Sequence, residues 1–409
     1  MQKGVELKVR LGIESPELRG LLSGRKLGLV TNHTGVTVGM KHLVEVSQQY
    51  GSVEVVFTPE HGLWGSAAAG ELVSSEVDEE YEVRVYSLYG ETLEPPVEEV
   101  QKLDLVVYDI QDLGLRWYTY ASTLYFTVKA CAKAGTPLLI LDRPAPLTGV
   151  VTEGPVLSPA YKSFTGLAEI PARYALTPGE LALYYSKVEG LGGEVYVVRA
   201  EGWKRELWFD ETGLPWIPPS PNIPNLETAL VYAGACLLEG TNLSEGRGTA
   251  SPFLQFGAPW VKARELAEAL RKLQLPGVLF RPVKFTPSAS KYKGLECKGV
   301  YVHVTDRSTF KPFSTFIQVL RAVKNLYGDF FVLLTREHEK QVEYLKDYTK
   351  WSSSKTSYVL DYITGSSSAR ECIEGSKSVE EVEERWRRER EGYVERARSL
   401  LLYGGALKP

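Results

Sequence analysis

Four short segments of the chain combine side chains that could do chemistry: carboxylates, imidazoles, guanidinium groups and aromatic rings. Each segment directly follows a short apolar run. The candidate residues are Asn32, His33, Glu60, His61, Trp64, Asp109, Asp112, Arg116, Tyr118, Asp142 and Arg143. Carboxylates accept hydrogen bonds from sugar hydroxyls, and an indole or phenol ring stacks on the apolar face of a pyranose. This combination of residue types predicts a carbohydrate site.

Glu60 is the strongest candidate for a catalytic acid, because it lies in a Pro-Glu-His-Gly turn where Trp64 would partly shield its carboxyl group. Glycoside hydrolysis uses two carboxyl groups, one of which protonates the leaving oxygen. We assign that role to Glu60, and we expect Asp109 or Asp112 to be the second carboxylate or to stabilise positive charge on the sugar. The alternative for any single acid at a strand end is a helix cap or a turn, and Asp142 is its clearest example.

A second polar loop covers residues 239–249 and contains three glycines. Glycine lets the backbone turn sharply or approach a ligand closely. We expect Glu239, Asn242 and Arg247 of this loop to bind substrate, together with Asn222 from the proline-rich segment that precedes it. The alternative interpretation is a loop that only ends a helix.

Other site motifs are absent from the sequence. No GxGxxG, GxxxxGK[ST], GxSxG or HExxH pattern occurs, which argues against nucleotide cofactors, serine hydrolases and metalloproteases. The four cysteines are too far apart for a zinc or disulfide pattern and are expected to be buried thiols. We predict no cofactor and no metal; a divalent ion held by His61, Asp109 and Asp112 is the less favoured alternative.

The charge distribution excludes two classes of partner. The formal net charge is −4, and no block of Lys and Arg could follow a phosphate backbone or an anionic membrane. We therefore expect neither nucleic acid nor membrane as a partner. Since no signal-like or membrane-spanning apolar segment is evident, a cytoplasmic location is expected.

The elements that must position these residues follow the pattern of an open α/β sheet. Apolar runs alternate with amphipathic segments such as 41–50 and 120–134, which predicts parallel strands covered by helices. Ligands bind beyond the carboxyl ends of such strands, so the candidate segments should converge on one edge. The predicted strands are Lys26–Thr31, Val53–Thr58, Glu82–Ser87, Leu103–Tyr108, Pro137–Leu141 and Glu194–Arg199.

A chain of 409 residues exceeds what one core usually organises, so two domains are expected, with a boundary near Asn222. We predict an α/β domain over 1–222 and a smaller α+β domain over 223–409. The second is expected to contain helices over 226–238 and 261–273 and strands over 300–305 and 330–334. A charged helix over 378–402 should bury only a few residues, namely Val382, Trp386 and Tyr393.

Several segments resemble one family, the exo-acting β-N-acetylmuramidases of glycoside hydrolase family 171, and the similarity covers nearly the whole chain. The matching segments are Thr31-Asn-His-Thr-Gly35, Phe57-Thr-Pro-Glu-His-Gly-Leu-Trp-Gly65, Tyr108–Tyr120, Leu141-Asp-Arg-Pro144, Glu153-Gly-Pro155, Pro218-Pro-Ser-Pro-Asn222, Leu238–Thr249 and Leu360-Asp-Tyr-Ile-Thr-Gly365. The resemblance implies a Rossmann-like catalytic domain, an auxiliary domain that closes the cleft, and Glu60 as the acid/base glutamate. One departure is Ala145, where similar sequences commonly carry asparagine.

The resemblance also implies a substrate: a peptidoglycan fragment with N-acetylmuramic acid at its non-reducing end. The lactyl carboxylate of that sugar calls for a cation, and planar guanidinium groups match carboxylates well. The candidates are Arg116, Arg143, Arg173 and Arg247. The alternatives are a non-catalytic protein that binds amino sugars and a hydrolase for another acidic amino sugar. Retention or inversion of configuration and the oligomeric state stay open.

Overall fold

A computed structural model describes residues 9–67, 71, 76–90, 92–338 and 356–409. Over these residues the chain forms two compact units. The first contains residues up to 151 together with 174–224 and 394–408, and the second contains 152–173 and 225–393. The main division therefore falls between Pro224 and Asn225. Residues 152–173 belong to the second unit although they come before this division, and residues 394–408 belong to the first although they come after it.

A seven-stranded sheet forms the centre of the first unit. Its strands, numbered along the whole chain, are β1 (Lys26–Thr31), β2 (Ser52–Thr58), β3 (Glu76–Asp78), β4 (Val83–Ser87), β5 (Leu105–Asp109), β6 (Leu138–Leu141) and β9 (Val195–Val198). Their spatial order is β3-β4-β2-β1-β5-β6-β9, and every neighbouring pair is parallel except β3 and β4. All residues of β5 and β6 are buried, as expected for strands covered on both faces.

The order of the parallel strands identifies the ligand-binding edge. Without the antiparallel β3, the order corresponds to 3-2-1-4-5-6 along the chain, which is the Rossmann order. The winding reverses between β1 and β5, so a crevice is expected beyond the carboxyl ends of these two strands. The predicted Rossmann-like open parallel sheet is confirmed.

The helices of the first unit have clear sequence signals at their ends. They are α1 (Leu18–Leu22), α2 (Leu43–Gln48), α3 (Val97–Val100), α4 (Thr119–Ala134) and α5 (Pro178–Lys187). Helix α4 ends at Gly135, whose φ of 72° is a left-handed conformation that favours glycine. Thr177 caps α5 by accepting from Glu180 N, and Pro178 occupies the first helical position.

The second unit is a separate α+β fold. Its strands are β7 (Glu153–Val156), β8 (Pro171–Arg173), β10 (Gln255–Ala258), β11 (Val278–Phe285) and β12 (Cys297–Val304). Strands β7 and β8 pair with each other, whereas β10, β12 and β11 form an antiparallel sheet in that order. Its helices are α6 (Leu226–Ala235), α7 (Ala263–Lys272), α8 (Pro312–Tyr327), α9 (Val359–Thr364), α10 (Ser368–Ile373) and α11 (Val379–Ala397), the last of which continues into the first unit.

One predicted strand of this unit is wrong. Residues 330–334 form no strand; Gly328–Phe330 is a short 3-10 turn, and Leu333 makes only an isolated bridge with Thr241. The segment is a run of five apolar residues, which is the pattern of a buried strand. Among the described residues, no strand pairs with it beyond that single bridge.

Two other expectations for the chain, the burial along the charged helix and the buried thiols, are confirmed. Helix α11 buries Val382, Trp386 and Tyr393 on one side, while most of its charged side chains are exposed. All four cysteines are buried free thiols. In the part of the chain that the structure describes, no helix is long and apolar enough to cross a membrane.

Candidate functional site

The carboxyl ends of β2, β1, β5 and β6 lie side by side, because these four strands are neighbours in the sheet. Asn32 follows β1, Glu60 follows β2, Asp109 ends β5 and Asp142 follows β6. The structure therefore brings the four predicted segments of the first unit to one edge. What each side chain does there differs, and its hydrogen-bond partners show the difference.

Asn32 organises the end of β1. Its amide Nδ2 donates to the Tyr120 hydroxyl at 2.9 Å, and its Oδ1 accepts from the backbone N and the hydroxyl of Thr34. The Tyr120 hydroxyl then donates to the carbonyl of Pro219 at 2.6 Å. Asn32 is fully buried, so its side chain joins the strand end, helix α4 and the proline-rich segment.

His33 has an imidazole ring with a set orientation. Its Nε2 lies 2.8 Å from the carbonyl oxygen of Pro218. A carbonyl only accepts, so Nε2 carries the hydrogen. Burial lowers the pKa of His33, and the nearby His61 lowers it further. The ring lies against Gly65, where a Cβ atom would be 2.2 Å from Nδ1, so only glycine fits at that position.

Glu60 lies in a tight turn at the end of β2. Residues His61, Gly62 and Gly65 of this turn all have φ between 71° and 73°, which fixes an unusual backbone path. Glu60 is 9% exposed, and its Oε2 accepts a hydrogen bond of 2.7 Å from the hydroxyl of Thr119, the first residue of α4. Burial and this bond orient the carboxyl group.

His61 is buried beside Glu60 in the same turn. Its Nδ1 donates to the carbonyl oxygen of Ala67 at 2.8 Å, since a carbonyl can only accept. In the neutral ring Nε2 is then the acceptor nitrogen. His61 thus closes the turn that carries Glu60.

Trp64 is the exposed residue of the turn. Its side chain is 52% exposed, its indole N–H donates to Asp78 Oδ2 at 2.7 Å, and its ring stacks in parallel on Tyr81 with centroids 5.1 Å apart. One face of the indole is therefore covered by protein.

Asp109 forms an ion pair with Arg143. The guanidinium of Arg143 contacts both carboxylate oxygens of Asp109, with Nη2 at 3.0 Å from Oδ2, and also donates to the carbonyl of Val36. Both side chains are buried. This bidentate pair fixes the ends of β5 and β6 to the loop after β1.

Asp112 is a buried carboxylate with several donors. Its Oδ1 accepts from the backbone N–H groups of Leu113 and Gly114, and its Oδ2 accepts from the Tyr174 hydroxyl at 2.6 Å. Burial raises the pKa of Asp112 to about 6, although these hydrogen bonds lower it. Asp112 therefore changes its protonation near neutral pH.

Asp142 has the arrangement of a helix cap. Its Oδ1 accepts from the backbone of Gly179, in the first turn of α5, and its Oδ2 accepts from the hydroxyls of Thr177 and Tyr403 at 2.8 and 2.6 Å. Burial raises its pKa to about 6. Tyr403 also accepts from Ala200 N, so Asp142 ties the carboxy-terminal segment to the sheet.

The remaining candidates of the first unit differ in burial. Arg116 is 1% exposed and Tyr118 is buried, with its ring edge-on to Tyr120 at 4.7 Å. Asn222 is half-buried in the proline-rich segment, where its backbone N–H lies 3.4 Å from the Ser220 hydroxyl.

In the second unit, the charged side chains of the 239–249 loop form ion pairs with each other and with Lys291. Arg247 Nη2 lies 2.7 Å from Glu239 Oε1, and its guanidinium lies over the ring of Phe253 at 5.1 Å. Glu245 forms a buried ion pair with Lys291, whose Nζ also donates to the carbonyls of residues 238 and 243. These contacts hold the loop's own backbone.

Asn242 and Arg173 also have protein partners within the second unit. Asn242 donates to the carbonyl of Phe330 at 2.8 Å and accepts from Val332 N at 3.0 Å, as a strand partner would. Arg173 pairs with Glu153 at 2.7 Å, and both are buried. Three of the four arginines considered for a substrate carboxylate, Arg143, Arg173 and Arg247, thus form ion pairs with protein carboxylates.

The described residues contain no group of three or more His, Cys, Asp or Glu side chains arranged to hold a metal ion. His61 donates to a backbone carbonyl and Asp109 pairs with Arg143. The donor set of the metal alternative is therefore occupied by protein contacts.

Sequence reasoning missed several residues that support this edge. Thr119, Tyr120 and Tyr174 hold Glu60, Asn32 and Asp112, and the carbonyls of Pro218 and Pro219 accept from His33 and Tyr120. Thr119 and Tyr120 directly follow the polar segment 109–118, and this position in the sequence could have indicated that they lie at the same edge of the sheet. No such indication exists for Tyr174 and the carbonyls.

Comparison with known proteins covers both units. Residues 27–227 match the model of the N-terminal domain of exo-β-N-acetylmuramidase NamZ, and residues 230–403 match that of its C-terminal domain. The chain is 43% identical over 332 residues to the peptidoglycan β-N-acetylmuramidase NamZ of Bacillus subtilis strain 168, a match that spans 80% of each chain.

Two crystal structures of DUF1343 family proteins from Bacteroides fragilis NCTC 9343 are also similar. One has 32% identity and a TM-score of 0.84 over 98% of this chain and 100% of its own. The other has 28% identity and a TM-score of 0.68 over 97% of this chain and 99% of its own. On the two domain matches and the identity to NamZ, the chain belongs to the exo-β-N-acetylmuramidase NamZ family.

Proposed function

We propose that this chain is an exo-acting glycoside hydrolase that removes N-acetylmuramic acid from the non-reducing end of peptidoglycan fragments. Two findings support the proposal. The chain belongs to the NamZ family, whose relative from Bacillus subtilis is a peptidoglycan β-N-acetylmuramidase. At the strand-end edge, carboxylates lie beside aromatic rings, which suits a carbohydrate substrate.

Glu60 is the general acid and base in this proposal. The observation that carries it is the oriented carboxyl at the end of β2, 9% exposed and 2.7 Å from the Thr119 hydroxyl, in a turn of fixed backbone conformation. Protonated Glu60 gives its hydrogen to the glycosidic oxygen as the bond from that oxygen to the sugar's C1 breaks. The resulting carboxylate then takes a proton from the water that adds to C1.

The other two catalytic candidates are unequal. Asp109 is neutralised by Arg143 in a bidentate ion pair, so its charge is used within the protein. Asp112 accepts hydrogen bonds from two backbone N–H groups and Tyr174 but has no cation among these partners. Of the two, we therefore assign the stabilisation of positive charge on the sugar to Asp112.

The experiment that tests the proposal compares Glu60→Gln with the unmodified chain on two substrates. One is a disaccharide with N-acetylmuramic acid β-linked to a second N-acetylated sugar, and the other is its 4-nitrophenyl glycoside. We expect turnover of the disaccharide to fall by about 10²- to 10⁴-fold, because the departing sugar hydroxyl needs a proton. Turnover of the nitrophenyl glycoside should fall less, since nitrophenolate leaves without one.

Glu54→Gln changes an exposed acid in β2, the strand before the turn that carries Glu60; it is the matched control and should keep full activity. Near-normal cleavage of the disaccharide by Glu60→Gln would remove Glu60 from the mechanism. Tight binding without cleavage by the unmodified chain would favour a sugar-binding protein instead. The anomer formed first, observed by proton NMR, tests the assignment of Glu60: retained configuration agrees with Glu60 acting in both steps, whereas inverted configuration would make another group the base for water.

A further inference from the structure

We propose that Trp64 is a binding platform for the second sugar of the substrate, the one that departs with the glycosidic oxygen. This inference rests on the proposed function and adds to it a preference for chains of at least two pyranoses over simple glycosides. The indole of Trp64 is held in place by a hydrogen bond at its edge and by a stacked ring.

Asp78 fixes the edge of the indole and also fixes the ring beneath it. Asp78 Oδ2 accepts from Trp64 Nε1 at 2.7 Å, and Asp78 Oδ1 accepts from the backbone N of Tyr81 at 2.9 Å. The Tyr81 ring lies parallel to the indole, with an interplanar angle of 3° and centroids 5.1 Å apart. Trp64 therefore has one covered face and a set orientation.

The stack continues below Tyr81. The imidazole of His42 lies 5.1 Å from the Tyr81 ring at an interplanar angle of 16°, and Gln48 donates to the Tyr81 carbonyl at 3.1 Å. His42 Nε2 in turn donates to the backbone carbonyl of Asn32 at 2.9 Å. A column of three rings thus connects the end of β1 to the exposed indole.

Such a column leaves a preorganised ring that is still 52% exposed. An exposed aromatic residue needs no special explanation by itself. Here, however, two stacked rings and the Asp78 carboxylate hold the indole in place, and holding the ring in advance reduces the entropy lost when a ligand stacks. A flat apolar face of this size matches the apolar face of a pyranose.

The difference in burial between Glu60 and Trp64 indicates which sugar stacks. The reacting sugar must be enclosed, because charge stabilisation at C1 requires exclusion of water. Glu60, at 9% exposure, protonates the oxygen that joins the first sugar to the second. Trp64 lies four residues further along the same fixed turn and faces solvent, toward which the remaining chain must extend.

The test compares Trp64→Ala with the unmodified chain on the muramic acid disaccharide and on the trifluoroethyl β-glycoside of N-acetylmuramic acid. The trifluoroethyl group has no ring and cannot stack, whereas a nitrophenyl group could. We expect kcat/KM for the disaccharide to fall about tenfold, the loss typical of one stacking contact, and kcat/KM for the trifluoroethyl glycoside to change less than about twofold. Trp64→Phe, which keeps a ring face, should retain most activity toward the disaccharide.

Tyr196→Ala is the matched control, because Tyr196 is 54% exposed on the edge strand β9. It should leave both substrates unaffected, and a comparable loss there would overturn the proposal. Equal losses of Trp64→Ala on both substrates would place the indole against the first sugar and overturn it too, as would no loss on either. If the unmodified chain cleaves neither substrate, the proposed function itself fails.

Discussion

The turn at 59–65 and the loop at 239–249 share a sequence character, since both are polar and contain glycine, yet they differ in how their side chains are used. In the loop, Glu239 pairs with Arg247 and Glu245 pairs with Lys291, so both carboxylates have a cationic partner within the second unit. In the turn, the carboxyl of Glu60 is held by a neutral hydroxyl, and the indole of Trp64 faces solvent.

The two segments differ in which groups contact their buried charged side chains. A buried charge with an opposite charge beside it, and with hydrogen bonds that use its remaining atoms, is satisfied within the protein. In the turn, the hydrogen bond from the Thr119 hydroxyl orients the carboxyl of Glu60, and the proposed function requires this carboxyl to exchange a proton with the substrate. Both segments contain glycine and polar side chains, so these features do not distinguish the two.

The largest expected effect on stability comes from Lys291→Met. Lys291 is buried, pairs with Glu245 at 3.2 Å and donates to two backbone carbonyls. Removing the ammonium leaves a buried carboxylate without this partner, so we expect a loss of about 3–5 kcal/mol in the free energy of unfolding, measured by urea titration. Lys284→Met, which breaks an exposed pair with Glu296, should cost less than about 1 kcal/mol.

The structural role of the Lys291–Glu245 pair would be contradicted if Lys291→Met left the free energy of unfolding unchanged and instead abolished binding of the disaccharide. That result would make the loop a ligand site.

A smaller effect concerns Asp112 and pH. Burial raises the pKa of Asp112 to about 6 in the folded chain, above its ordinary value of 3.8, so the folded state binds this proton more tightly than the unfolded state does. Stability from this group is therefore greatest below about pH 4 and is lost as the pH rises to about 6. A shift of this size corresponds to a change on the order of 3 kcal/mol.

Asp112→Asn should remove this part of the pH dependence and leave the part due to Asp142, whose pKa is raised to about 6 by the same cause. The measurement is the free energy of unfolding of both proteins from pH 4 to pH 7. Parallel curves for the two proteins would show that Asp112 does not titrate in this range.

The smallest expected effect is a loss of kcat/KM when the support of Trp64, in the turn at 59–65, is weakened. Asp78→Ala removes the acceptor that orients the Trp64 indole, but it leaves the Tyr81 ring beneath it. We expect kcat/KM for the disaccharide to fall roughly two- to fourfold, about the contribution of one net hydrogen bond. The trifluoroethyl glycoside is the control substrate, and an equal loss there would point to a change at the first sugar.

Much of the first unit could be predicted from the sequence, because its parallel strands are continuous apolar runs with polar residues directly after them. The strand Lys26–Thr31 was predicted with its observed bounds, and the side-by-side position of four strand ends follows from the order of the sheet. Asp142 was also identified as the clearest case of a possible turn or cap, and its contacts with Gly179 and Thr177 have that form.

What could not be predicted depends on partners that are distant in sequence. The pairing of Asp109 with Arg143, of Asp112 with Tyr174 and of Glu245 with Lys291 joins residues 34, 62 and 46 positions apart, and no local spacing indicates them. The same limit explains the false strand at 330–334. Its apolar run favours a strand, but a strand also needs a neighbour to pair with, which the local pattern does not supply.

The contact between Tyr403 and Asp142 has a consequence for biosynthesis. A carboxylate at the centre of the first unit receives one of its hydrogen bonds from a tyrosine 261 positions later. During translation, the ribosome must therefore release almost the entire described chain before the early sheet acquires its final contacts. Nascent chains that stall before residue 403 should expose this sheet end in an incomplete state, and they are the species that chaperones would meet.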